Sequence, residues 1–578
     1  MIASHTIRRI SHWLLPRRLR RLDAQALPGD LCLNGWQHRE FPLLPPLCGS
    51  LVLENCPFIE TLPQDLRILG SIKINNCCAF KRLPKGLEVA GNLDLRCCDS
   101  LVELPDGLNV GSFLEVDACS RLSRIGARLC TGLNLRVHDC PELVSFGDGL
   151  NIGASFSISN CRSFSRFSAN VRIGGCLIIS DCESLSELPP GICLGGNKAY
   201  VGYELSGPQY WHVVPNGSFT CTRCSTLARL PDNMAVPGDL KLEYCAGLTS
   251  LSEGLTVEGS TQLQYLAGLK SIPASVQLGR GLQLRHCNGI EYLLDGFACG
   301  SLLVEHCDKL KRLPSGMHIH GDVSVSACPQ LTTTGPGSRV GGNMSFMSRR
   351  GRDNDIVNLR SLGHVTTVGG TLDLSGCGKL EGLPLGLSAQ VLILRGCRRI
   401  AHLPDDLNVG TLEIADCQLD GLPDGMKKVT LLWRNTRVNA RTAFHPELLT
   451  ADEIFAERDF FRRDIMLQRC GLERFFSQTS PETIDHDNDL GGIRKLLRVR
   501  MPRADSLNRT RTGHWRFGWQ PHARLLEEEA VCCLRVCCPS TGKAYFLRVP
   551  PEIETCRQAA AWLAGFDESN DYAPIVET

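Results

Sequence analysis

The 578-residue chain carries 62 basic and 61 acidic side chains, a net charge of +1, so charge gives no argument for a nucleic-acid partner. A hydrophobic share of 43% and a charged share of 21% are ordinary for a soluble globular protein, and the length exceeds one compact core. The 30 cysteines come without an apolar run of the ~7–15 residues a secretory leader needs or the ~18 that span a bilayer, so they read as reduced, mostly buried thiols of a cytoplasmic protein.

Residues 1–30 form a basic segment. Arg8, Arg9, Arg17, Arg18, Arg20 and Arg21 surround Ile10, Trp13, Leu14, Leu15 and Leu19, a pattern that predicts a basic amphipathic helix. Its simplest role is to cap the repeat array that begins at residue 31. Membrane contact or an export signal stays open as a second reading.

From residue 31 to 437 the chain repeats. Steps of 21 from Leu62 reach Leu83, Leu104, Ile125, Phe146, Phe167, Leu188, Gln209, Leu230, Leu251, Ile272 and Leu293, of which only Gln209 is polar. The period then shortens slightly through Leu313, Leu383, Leu403 and Leu422. A period near 20 sustained over this length predicts a solenoid. The unit reads L-P-x-x-L-x-V-x-G-x-L-x-L-x-x-C-x-x-L-x-x. Alternation at Leu93/Leu95, Leu114/Val116, Leu135/Val137 and Leu240/Leu242 predicts one short strand per unit with its leucines inward. The glycine and the Leu-Pro pair mark the turns.

Three residues after the second strand aliphatic stand Cys56, Cys77, Cys98, Cys119, Cys140, Cys161, Cys182, Cys224, Cys245, Cys287, Cys307, Cys328, Cys377, Cys397 and Cys417, half of the 30. A residue that recurs with the period is architectural, so these form a structural ladder. In the pair Cys97-Cys98 only Cys98 belongs to it. Strand spacing of ~4.8 Å falls inside the Cα window of a disulfide, and a thiolate row for metal is the other chemical alternative. The flanking leucines favour reduced core thiols. "CTRC", Cys221 to Cys224, has one cysteine on an inward strand position and one on the ladder, and reads as core.

This pattern resembles the leucine-rich-repeat family, with one extra residue after each cysteine. The resemblance implies a horseshoe solenoid with a parallel sheet on its concave face, extended or 3₁₀ segments outside, and a partner bound on the concave surface. Most side chains between the strand leucines are small or polar, such as Asn92, Asp94, Arg96, Ser157, Ser159, Ser324 and Ser326. One column differs. Tyr244, Tyr265, His286 and His306 immediately precede the ladder position, with Glu243, Arg285 and Glu305 beside them. Tyr and Arg are hot-spot residues, so these seven are candidate partner contacts. The plainer alternative is that they merely cover the sheet edge. A metal at the two histidines lacks a patterned third ligand, so no metal or cofactor is expected.

Two places break the pattern. The unit after Leu188 keeps the 21-residue register but puts Tyr203 at the cysteine position and adds Tyr200, Tyr210 and Trp211. Around "MSRRGRDNDIVN" the ladder position is Arg349, and about seven residues are inserted. Tyr210, Trp211, Arg349 and Arg350 are therefore further candidate contacts, the alternative being a decayed unit and a tolerated loop.

Residues 438–578 predict a small α+β domain. "LLTADEIFAERDFFRRDIMLQRCGLERFF" reads as a helix with a Thr450/Glu453 capping box and a stop at Gly471. "AVCCLRVCCPSTGKAYFLRVPP" reads as a hairpin that splits Cys532 and Cys533 between faces. A last helix starts at Thr555, with Ala559, Trp562, Leu563 and Phe566 on one side. On Arg462, Arg463, Ile465, Arg469, Gly471, Glu473 and Arg474, and on the "FLRVPP" run with Ala559 and Trp562, this region resembles a bacterial domain of unknown function that follows repeat arrays. Cys470 stands where that family would hold an aromatic. The resemblance implies a bacterial source and no activity.

The function expected is a monomeric protein-binding scaffold of a bacterium, with no catalytic residue. The alternative is an exported effector with a ubiquitin-ligase-like tail. Such enzymes use a nucleophilic Cys-x-Asp, and no cysteine after residue 438 has Asp two residues on.

Overall fold

A computed structural model describes residues 8–10, 30–39, 49–64, 66, 68–196, 202–205, 211–214, 216–346, 358–426, 428–488, 493–502, 529–538 and 541–566, with backbone alone for 8–10, 202–205, 211–214 and 529. Contacts divide the chain into two compact units, one of residues 1–390 with 406–408 and one of 391–405 with 409–578.

The first unit is a solenoid of stacked coils built on parallel sheets. Its main ladder runs through Leu31–Asn34, Leu51–Glu54, Ile72–Asn75, Leu93–Arg96, Leu114–Asp117, Leu135–His138, Phe156–Ser159 and Leu177–Ser180, then on through Phe219–Thr222 to Thr367–Asp373. In register, Leu93 pairs with Leu114 and Leu95 with Val116, so like residues stack and the inward aliphatics meet.

Each coil holds more than the one strand expected. A second set of parallel bridges and two-residue strands passes through the residue before Leu-Pro, as in Glu103–Leu104, Arg124–Ile125 and Ser145–Phe146. A third runs through Glu88–Val89, Asn109–Val110, Cys130–Thr131, Asn151–Ile152, Arg172–Ile173 and Cys193–Leu194. Three short ladders thus enclose one core. In the coil from Leu93, the side chains of Leu93, Leu95, Cys98, Leu101, Leu104, Leu108 and Val110 are all at most 1% exposed. The described positions of the 21-residue step are buried as well, while Gln209 lies outside the described residues.

The recurring glycine before the main strand marks close approach between coils. A Cβ on Gly132 would fall on the carbonyl oxygen of Gly111, and one on Gly153 on that of Gly132. A side chain at either glycine would require the two coils to shift apart.

At the near end, Arg8–Ile10 is a strand, not part of a helix, and pairs in parallel with Leu31–Asn34. The ladder is therefore extended by backbone pairing.

The unit after Leu188 is not a coil. Leu177–Ser180 pairs directly with Phe219–Thr222, so the solenoid closes across 42 residues. The excluded stretch contains a separate antiparallel hairpin, Gly202–Leu205 with Trp211–Val214. At its base Gly195 and Gly217 pack backbone to backbone, and a Cβ on Gly217 would lie 3.1 Å from the Cα of Gly195. Across the second insertion, which lies outside the described residues from 347 to 357, Met344 still pairs with Leu372.

In the second unit, Thr411–Glu413 pairs in parallel with Thr430–Leu432, and a turn at Arg434 and Asn435, φ 48° and 64°, reverses the chain into Thr436–Val438. Glu413, 1% exposed, fixes this turn by accepting from the Arg434 and Asn435 amides, both at 2.7 Å. The single helix expected after Thr450 is three: Ala451–Ala456, Phe460–Cys470 and Leu472–Ser477. The first break falls at Glu457–Asp459, where Asp459 caps a new helix through the Arg462 amide. The Thr450/Glu453 capping box is present, and Gly471, φ 85°, ends the second helix.

Helix Phe460–Cys470 packs on strand Thr436–Val438. Arg469 from that helix lies 4.3 Å above the Trp433 ring and donates to the Thr442 and Ala443 carbonyls at 3.3 and 2.7 Å. A four-stranded antiparallel sheet comes next, Glu482–Asp487, Arg494–Met501, Glu529–Cys537 and Ala544–Val549 in sequential order. Cys533 faces the core shared with the helices, and Cys532 the core under helix Cys556–Leu563. The split of these cysteines is as expected. That last helix, capped by Thr555 as expected, buries Ala559 and leaves Trp562, Leu563 and Phe566 40–47% exposed.

Candidate functional site

The candidate stripe is built by a corner of the coil. After each main strand the chain turns sharply, and the residue before the ladder position adopts a left-handed backbone: φ is 55° at Tyr244, 54° at Tyr265, 53° at His286 and 53° at His306. Each of these amides donates to the carbonyl ending the next coil's strand, Tyr244 to Gln264 at 3.1 Å and Tyr265 to Arg285 at 2.9 Å. Coil stacking thus over-determines the conformation. Asn, Asp and His tolerate it, whereas a bulky side chain such as Tyr is out of place there.

The four rings stack as one column. Centroids are 4.4 Å apart for Tyr244–Tyr265, 4.5 Å for Tyr265–His286 and 4.6 Å for His286–His306, with interplanar angles of 5°, 6° and 1°. Most ring faces are therefore satisfied within the stack, and the edges reach solvent. Tyr244 and Tyr265 remain 47% and 40% exposed. Burial and the neighbouring Tyr265 phenol raise the Tyr244 pKa, and burial together with His306 lowers that of His286.

The flanking charges pair locally. Arg285 Nε meets Glu305 at 2.9 Å, and Glu243 meets Lys241 at 3.5 Å. At the start of the column Arg223 turns away to Asp181, its Nη2 2.7 Å from the carboxylate. The structure thus brings together Tyr244, Tyr265, His286 and His306 with Glu243, Arg285 and Glu305. Tyr210, Arg349 and Arg350 lie outside the described residues, and for Trp211 only the backbone strand is placed.

The cysteine ladder is core. Fourteen of its members are buried and Cys417 is half-buried, and none of the described cysteines is in a disulfide. Thirteen of them donate S–H to the carbonyl two residues earlier, at 3.3–3.8 Å. The cysteine carbonyl in turn accepts from the amide three residues on, as in Leu101 to Cys98 at 3.0 Å. Burial pushes the Cys328 and Cys377 thiols up to about 12 and Cys287 to about 11. Cys97 holds the exposed left-handed position, φ 51°.

One group is not evident from the repeat pattern. Asp117, His138 and Asp139 place one ligand atom each within 4.8 Å of one another, and the signal for it is one of register, since His138 is the strand partner of Asp117. His138 already bonds Ser159 at 2.8 Å and Asp139 at 3.1 Å. In the second unit a shallow pocket of about 490 Å³ is lined by Phe455, Gln478, Thr479, Ser480, Glu482, Arg498, Val499 and Arg500, without a thiol or histidine.

No protein-family model, curated protein or solved structure matches this chain. Among the described residues no helix is long and apolar enough to cross a membrane.

Proposed function

We propose that the chain is a protein-binding scaffold whose partner lies along the edge of the Tyr244–Tyr265–His286–His306 column and contacts Glu243, Arg285 and Glu305. The carrying observation is that two tyrosines occupy left-handed positions, stack at coil spacing and keep 40–47% of their surface in water. Folding alone is better served there by Asn or Asp. Tyr and Arg together at a surface are what a binding hot spot needs.

The finer reading belongs to this proposal: a leucine-rich-repeat horseshoe in a bacterium, monomeric and cytoplasmic, whose residues 438–578 form an α+β domain that caps the array. Support for the cap comes from Arg469 clamping Trp433 and from the reversal of the last parallel strand at Arg434. An effector enzyme with a nucleophilic thiol in this region is the weaker reading. Burial raises Cys533 to about 12 and Cys556 to about 11, the reverse of an activated cysteine.

The test is affinity capture with the wild-type chain and with Tyr244→Ala/Tyr265→Ala/Arg285→Ala, and then titration of the purified captured protein. Loss of roughly ten-fold or more in affinity, with unchanged thermal unfolding, supports the stripe. Equal affinity removes it.

A further inference from the structure

One pair of thiols comes together from two different positions of the coil. In the main strand, the position held by Ile179 in one neighbouring coil and Leu242 in the other is Cys221. The Cys245 Sγ of the next coil lies 3.8 Å from Cys221 Sγ and 3.6 Å from the Cys221 carbonyl oxygen, alternative acceptors for its one S–H. Both side chains are fully buried.

Ordinary ladder neighbours are poorly placed for a disulfide. Cys98 and Cys119 are related by one coil step, so every pair of equivalent atoms, Cβ included, is separated by about the strand spacing of ~4.8 Å. A disulfide needs Cβ atoms about 3.5–4.5 Å apart. Cys221 and Cys245 are free of that constraint, because they come from different positions in the coil, one on the strand and one on the turn, and their side chains converge.

We propose that Cys221 and Cys245 are an oxidisable pair that forms an inter-coil disulfide under peroxide. One thiol gives up its proton and its sulfur attacks a peroxide oxygen, the O–O bond breaks, and the leaving hydroxide takes that proton, so a sulfenic acid and water result. The second sulfur attacks the sulfenic sulfur, the S–O bond breaks, a second water leaves and the S–S bond forms. In total, two thiols are oxidised and one hydrogen peroxide is reduced to two waters. The bond joins the coil that begins after the excluded hairpin to the coil that carries Tyr244, one residue before Cys245. This chemistry does not depend on the partner-binding reading.

The experiment exposes the full chain to hydrogen peroxide under native conditions, blocks remaining thiols by alkylation and maps cross-linked peptides by mass spectrometry. The Cys221–Cys245 peptide is expected in roughly ten-fold excess over Cys98–Cys119, and it disappears on treatment with a small thiol. Cys221→Val, which supplies an aliphatic as the neighbouring coils do, abolishes it and leaves the rest of the map unchanged. Absence of the peptide, equal yields along the ladder, or a Cys221–Cys224 loop as the main product overturns the proposal.

Discussion

The same corner of the coil is filled in two ways. In the early coils the left-handed position holds Asn55, Asn76, Cys97, Ala118, Asp139, Asn160 and Asp181, and in the later ones Arg223, Tyr244, Tyr265, His286 and His306. The early residues are mostly those whose short polar side chains tolerate φ > 0, and they link coil to coil, as in Asn76 Nδ2 to Asn55 at 2.7 Å. The later residues replace those bonds by ring stacking. A left-handed bulky residue costs about 1 kcal/mol or more, and each stacked contact contributes about 0.5–1.5 kcal/mol beyond burial. Two such positions, Tyr244 and Tyr265, against three contacts come close to balance. The backbone is thus indifferent to the exchange, and the rings are free to be chosen for what they present to solvent.

The comparison breaks at once if the two regions are not one scaffold. Gly132 in the early region and Gly279 in the later one meet the carbonyl of the preceding coil, that of Gly111 and of Glu258 respectively. Gly132→Ala and Gly279→Ala should each lower stability by about 1–3 kcal/mol, because the new Cβ meets backbone and the coils must shift to admit it. Denaturant midpoints of the two variants check this. A large loss in one and none in the other would mean that the regions stack differently.

Part of this was legible in the sequence and part was not, for physical reasons. The period, the inward aliphatics and the cysteine column arise from chemistry repeated in register, and the caps at Thr450 and Thr555 are local. The second and third ladders were hidden because two-residue strands carry no alternation to read. The excluded hairpin was hidden because its length is one period, so steps of 21 pass through Gln209 without losing phase. The helix break at Glu457–Asp459 has helix-compatible composition and shows only as a new cap. The left-handed corner was readable in principle from Asn55, Asn76, Asp139, Asn160 and Asp181, which hold the column later filled by rings. What sequence could not supply is that those rings would face one another.

A smaller effect sharpens the exchange itself. Tyr265→Asn removes two stacked contacts but relieves a strained backbone, so stability should shift by no more than about 1 kcal/mol. Asn76→Tyr should lose about 1–2 kcal/mol, since its neighbours Asn55 and Cys97 offer no ring and the Asn55 bond disappears. Thermal unfolding of the two variants separates the cases. A gain of about 1 kcal/mol or more in Tyr265→Asn would show that stacking contributes nothing, and the later column would then need another explanation.

The smallest effect is in pH. His286 is held below its ordinary value of 6.5, first by burial between Tyr265 and His306 and then by the neighbouring His306, opposed by Asp308 and Glu305. The unfolded chain takes up a proton near pH 6.5 that the folded chain resists. The folded state is therefore fully favoured above that pH and loses stability as pH falls toward the depressed value. His286→Asn removes the titrating group while keeping a residue suited to φ 53°. The wild type should thus lose more stability than His286→Asn between about pH 7 and about pH 5, read from unfolding midpoints at both. The early column has no histidine at this position, so Asn160→Asp or any similar change there should leave that difference untouched. A wild type that matches His286→Asn across the window would mean that the imidazole is solvated, and that the stack is open where the structure closes it.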